Sequence, residues 1–252
     1  MPTADEPEGS AAGRPDGISG GSVGYVPGVV LAVYAHPDDP EVSCAGTLSM
    51  WAAAGAQVHL VICARGDKGS RDPDADPNAL ADVRAAEAAA AAVVMGLVSQ
   101  TNLGRNDGEV VNDLALRGEL VERIRSLRPD VVMGPDPTPL FFGDSYINHI
   151  DHRQVGAAVL DACAPASASP LYFPEAGPAH RVDAVYLSGT LEPDTHVDIL
   201  AVLERKVEAL LCHHSQIDDP DEVAGVIRRR ALAAGAAVGL GAAESFRVLH
   251  PR

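Results

Sequence analysis

From residue 29 onward, short apolar runs alternate with longer stretches in which apolar positions recur every three to four residues. That alternation predicts an α/β chain of βα repeats, a Rossmann-like, mostly parallel sheet flanked by helices. Residues 29–35 form the first predicted strand. Residues 40–55 place Val42, Ala45, Leu48, Met50 and Trp51 at helical spacing before Gly55, which predicts a single helix. A second strand follows at 58–64, then a polar loop bearing Gly66, Gly69, Pro73 and Pro77, and an alanine-rich helix over 80–95 that stops at Gly96. So long a loop between strand and helix marks a functional insertion. A weaker strand is predicted at 98–103, a helix at 113–127, a buried strand at 130–133 ending in GPDPTP, and a helix at 151–163 after another long loop.

Beyond Pro165 the rhythm changes: strands are predicted at 182–187, 197–200 and 245–249, with helices at 203–212 and 220–238. The composition shift over 164–169 suits either the edge of a small carboxy-terminal subdomain, from about residue 170, or a linker inside a single domain spanning 26–252. The first 25 residues are acidic and rich in Gly, Pro and Ser, with no basic stretch leading into an apolar one, and they predict a disordered leader on a cytoplasmic protein. No apolar run approaches the roughly 20 residues that span a bilayer.

Composition removes several function classes. With 19 basic against 35 acidic residues the formal charge is −16, which argues against a nucleic-acid or anionic-membrane surface. Cys44, Cys63, Cys163 and Cys212 form no C-x-x-C pair and sit in apolar stretches, so they read as reduced, packed thiols, neither a disulfide framework nor zinc ligands.

Two clusters carry candidate chemistry. Ala35-His36-Pro37-Asp38-Asp39 falls directly after the first strand, where ligands of open α/β sheets gather. Pro37 biases His36 toward extended geometry and turns the chain, so that residues 36 and 39 face a common point. Asn148-His149-Ile150-Asp151-His152 supplies two imidazoles three apart, on one face if the helix begins there. Two histidines and a carboxylate with an open fourth position match a catalytic zinc site, with the site expected at the carboxyl ends of the strands and Asp38 beside the ion. Simpler accounts exist for both strings: Asp39 before Pro40 makes a good helix N-cap, and Asp151 could cap the helix that His149 begins.

The combination AHPDDPEVSCAGTL, RAAE, NHIDHRQVG and KVEALLCHHSQ, in that order over about residues 28–250, resembles the LmbE-like/PIG-L superfamily of zinc-dependent N-deacetylases. That superfamily includes deacetylases of N-acetylglucosaminyl lipids, of bacillithiol and mycothiol precursors and of chitobiose, together with mycothiol conjugate amidases. The resemblance implies that His36, Asp39 and His152 ligate Zn2+ and that Asp38 is the general base. It implies that His149 polarises the acetyl carbonyl or acts as general acid, with Asp151 orienting it, and that Arg84 and Asp107 hold sugar hydroxyls. The expected partner is a small N-acetylated amino sugar or conjugate, with a homo-oligomer left open.

Two departures stand out. Pro40 occupies the place where an acidic residue usually follows the paired aspartates, and Ile147 stands where some relatives carry a tyrosine, with Tyr146 adjacent. Outside the clusters, Asp67, Asp72, Asp74 and Asp76 read as solvated loop charge. His213 and His214 read as packing or substrate-wall residues, and the glycines of RGDKGS lack the spacing of a phosphate-binding loop. Two other readings stay open: an amidase cleaving a thiol–sugar conjugate, and a metabolite-binding α/β module whose His/Asp clusters are structural.

Overall fold

The computed structural model describes residues 25–252, and the leader expected at the amino terminus lies outside them. The chain order is β1 (Val29–Tyr34), α1 (Asp39–Ser43), α2 (Ala45–Ala53), β2 (Gln57–Ala64), α3 (Pro77–Met95), β3 (Ser99–Arg105), α4 (Leu114–Leu127), β4 (Val131–Pro135), β5 (Phe141–Phe142), β6 (Tyr146–Ile147) and α5 (Ile150–Asp161). It continues through β7 (Ala184–Ser188), β8 (Thr195–Asp198), α6 (Leu203–Leu211), α7 (Pro220–Ala237) and β9 (Ala243–Leu249). Seven strands form one sheet in the order β3-β2-β1-β4-β7-β9-β8, parallel from β3 through β7 with β9 antiparallel to both its neighbours.

Both faces of this sheet are covered, which is why β1 reads as an unbroken apolar run. Val30, Ala32 and Tyr34 face a layer that includes Leu48 and Trp51 of α2, Ala91 and Met95 of α3 and Leu203 of α6. Leu31, Val33 and Ala35 point the other way, onto Leu116, Leu120 and Ile124 of α4 and Val155 and Val159 of α5. Cys44, Cys63 and Cys163 are buried free thiols within these layers, and Cys212 is half-buried. Among the described residues, no helix is long and apolar enough to cross a membrane.

The helix expected over 40–55 is two helices, broken at Cys44 with φ −146° and ψ 9°. The physical cause lies in β9. Glu244, buried, accepts the N–H groups of Gly46 (2.9 Å) and Thr47 (2.8 Å) and the Thr47 hydroxyl (2.6 Å), so a carboxylate caps the freed start of α2. Lys206 completes the stitch, donating to Glu244 Oε1 at 2.6 Å and to the carbonyl of Val42 in α1 at 2.9 Å.

The segment around residues 164–177 is tied down by the buried Arg125 of α4. Its guanidinium donates to the carbonyls of Ala166, Ser167, Ser169, Tyr172, Phe173 and Gly177. The strands after it join the same sheet. The β5–β6 hairpin, absent from the sequence reading, has strands of two residues each, too short to show a period.

Candidate active site

The chain builds β1, β2 and β3 outward in one direction, then returns to lay β4 on the other side of β1. The order of strands therefore reverses between β1 and β4, and connections leaving their carboxyl ends diverge to open a crevice. His36 to Asp39 leave β1 on one side of it, and the loop after β4 leads to His149 and α5 on the other.

Asp38 is the N-cap residue of α1, at φ 97°, a left-handed conformation costly for a residue with a Cβ. Arg84 of α3 holds it there: Nη2 donates to the Pro37 carbonyl at 2.6 Å and to Asp38 Oδ2 at 3.1 Å, while Nη1 donates to the Gly66 carbonyl at 3.1 Å. A Cβ on Gly66 or Gly69 would collide with the same guanidinium, so those glycines exist to let Arg84 through. Asp39 is inside the helix, and the capping explanation for it fails.

The turn brings three donors together across 116 residues. His36 Nδ1 lies 3.3 Å from His152 Nε2, His152 Nε2 lies 3.1 Å from Asp39 Oδ1, and Asp39 Oδ2 lies 3.5 Å from His36 Nδ1. An ion bound tetrahedrally at about 2.0–2.1 Å requires its donors roughly 3.3 Å apart. The two imidazole nitrogens meet that spacing, each faces one oxygen of Asp39, and the three side chains form a group that could hold a metal ion.

The opposite nitrogen of His36 faces carboxylates, Asp107 Oδ1 at 3.1 Å and Asp151 Oδ2 at 3.2 Å. Asp151 is fully buried and accepts N–H groups from Gly108 (2.7 Å) and Val110 (3.2 Å), so it is no helix cap; the N-cap is His149. A histidine with one nitrogen among ligands and the other on a fixed carboxylate is the usual outer arrangement of metal sites. His36, Asp107, His149 and Asp151 form a second cluster, but His149 stands 3.9 Å from Asp107 and 4.0 Å from Asp151, and the Asp151 oxygens already accept backbone hydrogens. The first triad is therefore the better cage.

Electrostatics follow from this crowding. Burial disfavours a charged His36, but Asp107, Asp151 and Asp39 outweigh it and push its pKa up to about 12. Burial also opposes ionised Asp39, yet His152 and His36 hold it well below the usual carboxylate range. Burial and the neighbouring Asp39 push Asp38 up to about 7 against the pull of Arg84. His149 is lowered by burial and by the His36 charge. Its Nδ1 accepts the Asp151 N–H at 3.3 Å, so the neutral ring carries its proton on Nε2 and can donate from there.

The remaining expected residues fall as follows. Asp107 lies against His36, and its own N–H is taken by Asp67 at 2.9 Å. Asp67 is therefore a buried support, not the solvated loop charge expected, whereas Asp72, Asp74 and Asp76 are exposed. Arg84 is 3% exposed with its guanidinium turned into the loops. Ile147 is exposed, while Tyr146 and Phe142 line a cavity of about 120 Å³ with Asp39 and His152. His213 is fully buried, 3.4 Å from the buried Glu41. The missed contributors Phe142, Asp136 and Ser188 come from the hairpin and from strand ends, where no sequence period marks them.

Residues 31–163 match the PIG-L family, described as GlcNAc-PI de-N-acetylase. The chain belongs to the PIG-L family. Diacetylchitobiose deacetylase of Thermococcus kodakarensis is 30% identical over 197 residues, covering 77% of this chain and 71% of that protein. A 1D-myo-inositol 2-acetamido-2-deoxy-alpha-D-glucopyranoside deacetylase of Saccharopolyspora erythraea is 31% identical over 248 residues, covering 79% and 88%. The solved N,N'-diacetylchitobiose deacetylase of Pyrococcus horikoshii superposes with a TM-score of 0.81 at 27% identity, over 89% of this chain and 84% of that one.

The PIG-L match ends at residue 163, yet later residues are wired into the matched part. Glu87 of the RAAE stretch accepts the N–H and the hydroxyl of Ser215, both at 2.7 Å. Lys206 reaches α1 as described above. The KVEALLCHHSQ stretch thus packs against α1 and α3, which carry the His36–Asp39 turn and Arg84.

Proposed function

We propose that this PIG-L family member is a zinc-dependent hydrolase that removes the N-acetyl group from a 2-acetamido sugar or sugar conjugate. The observation carrying this reading is the convergence of His36, Asp39 and His152, the two imidazole nitrogens 3.3 Å apart and each within 3.1 to 3.5 Å of a different Asp39 oxygen, beside an Asp38 that takes no part in it. The named activities of its relatives, deacetylation of diacetylchitobiose and of a 2-acetamido glucoside of inositol, support the substrate class.

An amide resists attack because its carbonyl is weakly electrophilic and its amine leaves poorly, so the site must supply a nucleophile, charge stabilisation and a proton. A divalent ion in the triad, when bound, makes water acidic near neutral pH and polarises the carbonyl. Asp38, with a pKa raised to about 7, accepts the proton from the attacking water and passes it to the departing nitrogen. Arg84 fixes the carboxylate through Oδ2. His149 presents Nε2–H to the oxygen on which negative charge develops, held in that tautomer by the Asp151 N–H. Asp151 and Asp107 accept the Nε2–H of His36 and keep its Nδ1 directed at the ligand position.

Acetate release from N-acetylglucosamine, diacetylchitobiose and an N-acetylglucosaminyl inositol tests the reading, alongside metal analysis of protein purified without added metal. Bound zinc with acetate release is the expected result. Bound iron would correct the metal, since a His/His/carboxylate set accepts other divalent ions. Neither metal nor acetate would leave a metabolite-binding module.

A further inference from the structure

The short helix α1 separates two recesses of opposite character. Asp39 and Ser43, four apart, face the cavity of about 120 Å³ that also holds His152, Asp136, Ser188 and the aromatic rings of Phe142 and Tyr146. Asp38 and Val42, also four apart but one position back, face a larger open cleft of about 340 Å³ between α1, α6 and α7. One face of α7 builds much of that cleft, with Val223, Val226 and Ile227 between Glu222 and Arg230, while Leu210 and Ile217 close the side. Asp38, His213 and Gln216 line it as well, so its aliphatic wall is bordered by polar groups, Glu222 and Arg230 among them.

A scissile amide held at the metal triad has two halves to place. The recess with carboxylates, a hydroxyl and two aromatic rings suits a sugar, whose hydroxyls need partners and whose apolar ring face stacks. The aliphatic cleft suits an acyl chain. At about 30 Å³ for each water-sized group, the cleft has room for roughly ten such groups where an acetyl methyl occupies one, and the recess has room for about four, enough for one edge of a sugar ring.

We propose that the α6–α7 cleft is an acyl subsite, and that this chain accepts, beyond acetyl, amino sugars whose N-acyl group is apolar and longer. This rests on the hydrolase reading and extends its acyl range. The chemistry is unchanged: a water oxygen bonds to the acyl carbon, the C–N bond breaks, the nitrogen takes a proton, and a carboxylate and a free amino sugar leave.

A series of straight-chain hydroxamates from two to eight carbons, titrated calorimetrically into the metal-loaded full chain, tests the cleft without turnover. A hydroxamate anchors on the ion and projects its alkyl group as the scissile carbonyl projects the acyl chain. Affinity is expected to tighten about two- to fourfold per added methylene up to six or eight carbons. Val226→Trp is expected to abolish that gain, and the unaltered protein carries the test even if the variant does not fold. In parallel, amine release from N-acetyl- and N-hexanoylglucosamine is measured, with the hexanoyl substrate expected to show the higher kcat/KM. A flat or weakening hydroxamate series together with acetate release overturns the acyl subsite and leaves the deacetylase standing. No amine release from either sugar by the metal-loaded protein overturns both.

Discussion

At the scale of single residues the site divides by job, and substitution should expose the division. His36→Ala and His152→Ala are expected to abolish stoichiometric metal, because each removes one of three donors, whereas Asp38→Asn keeps the metal and lowers kcat by about 10²–10⁴. His149→Ala should also retain the metal, with a loss of about 10²–10³ in kcat, the scale of one lost oxyanion donor. Full metal occupancy in His152→Ala would refute the ligand set. Acidity gives an independent check. In the metal-free protein His36 binds a proton with a pKa of about 12, and its Nδ1 proton must leave before the nitrogen can ligate. Because the protonated form excludes the ion, affinity is expected to fall as pH falls, about tenfold per unit for each proton displaced. Titrations between pH 6 and 8, repeated in buffers of different ionisation heat, should show release of at least one proton per metal bound. A pH-independent affinity would mean that imidazole is not a ligand.

Elements explain why a local reading found the convergent His and Asp residues but missed their support. His36 to Asp39 follow a run of apolar residues and His149 to His152 open a periodic one, so the position of both clusters on the fold was legible from short-range pattern alone. The break between α1 and α2 was not, since Cys44 is no helix breaker and its cause, Glu244, lies 198 residues beyond Gly46. Arg125, Asp67 and Lys206 were illegible for the same reason: each looks like an ordinary charge until the fold surrounds it with partners. The Lys206–Glu244 pair makes this measurable. Both side chains are 4% exposed, so removing one strands the other without a counter-charge. Lys206→Met is expected to cost about 3–5 kcal/mol and lower the melting midpoint by roughly 10 °C. Adding Glu244→Gln should recover part of that loss, because no buried charge remains unpaired. A double variant no more stable than Lys206→Met would show that Glu244 acts by capping α2 and not as a counter-ion.

Across the whole molecule, the site arises where strand order reverses between β1 and β4, and its walls come from parts that no local period announces: a hairpin of two-residue strands, a face of α7 and the ends of β4 and β7. The sequence therefore exposed the two His/Asp clusters and hid the shape of the pocket, which belongs to the tertiary arrangement. The one global quantity it did expose is charge. A molecule carrying −16 attracts cations over a Debye length of about 10 Å at 0.1 M salt and does little to neutral molecules. Deacylation turns a neutral amide into a cationic amine, so the two ends of the reaction experience this field differently. The amino-sugar product is expected to inhibit more strongly at low ionic strength, its inhibition constant rising several-fold between 20 and 300 mM sodium chloride. The KM of the neutral N-acyl sugar should stay within about twofold over the same range, since no net charge couples it to the field. Equal salt dependence of both constants would locate the effect in the protein's own conformation, and inhibition that grows with salt would show that the local cationic charge of the metal site dominates over the acidic surface.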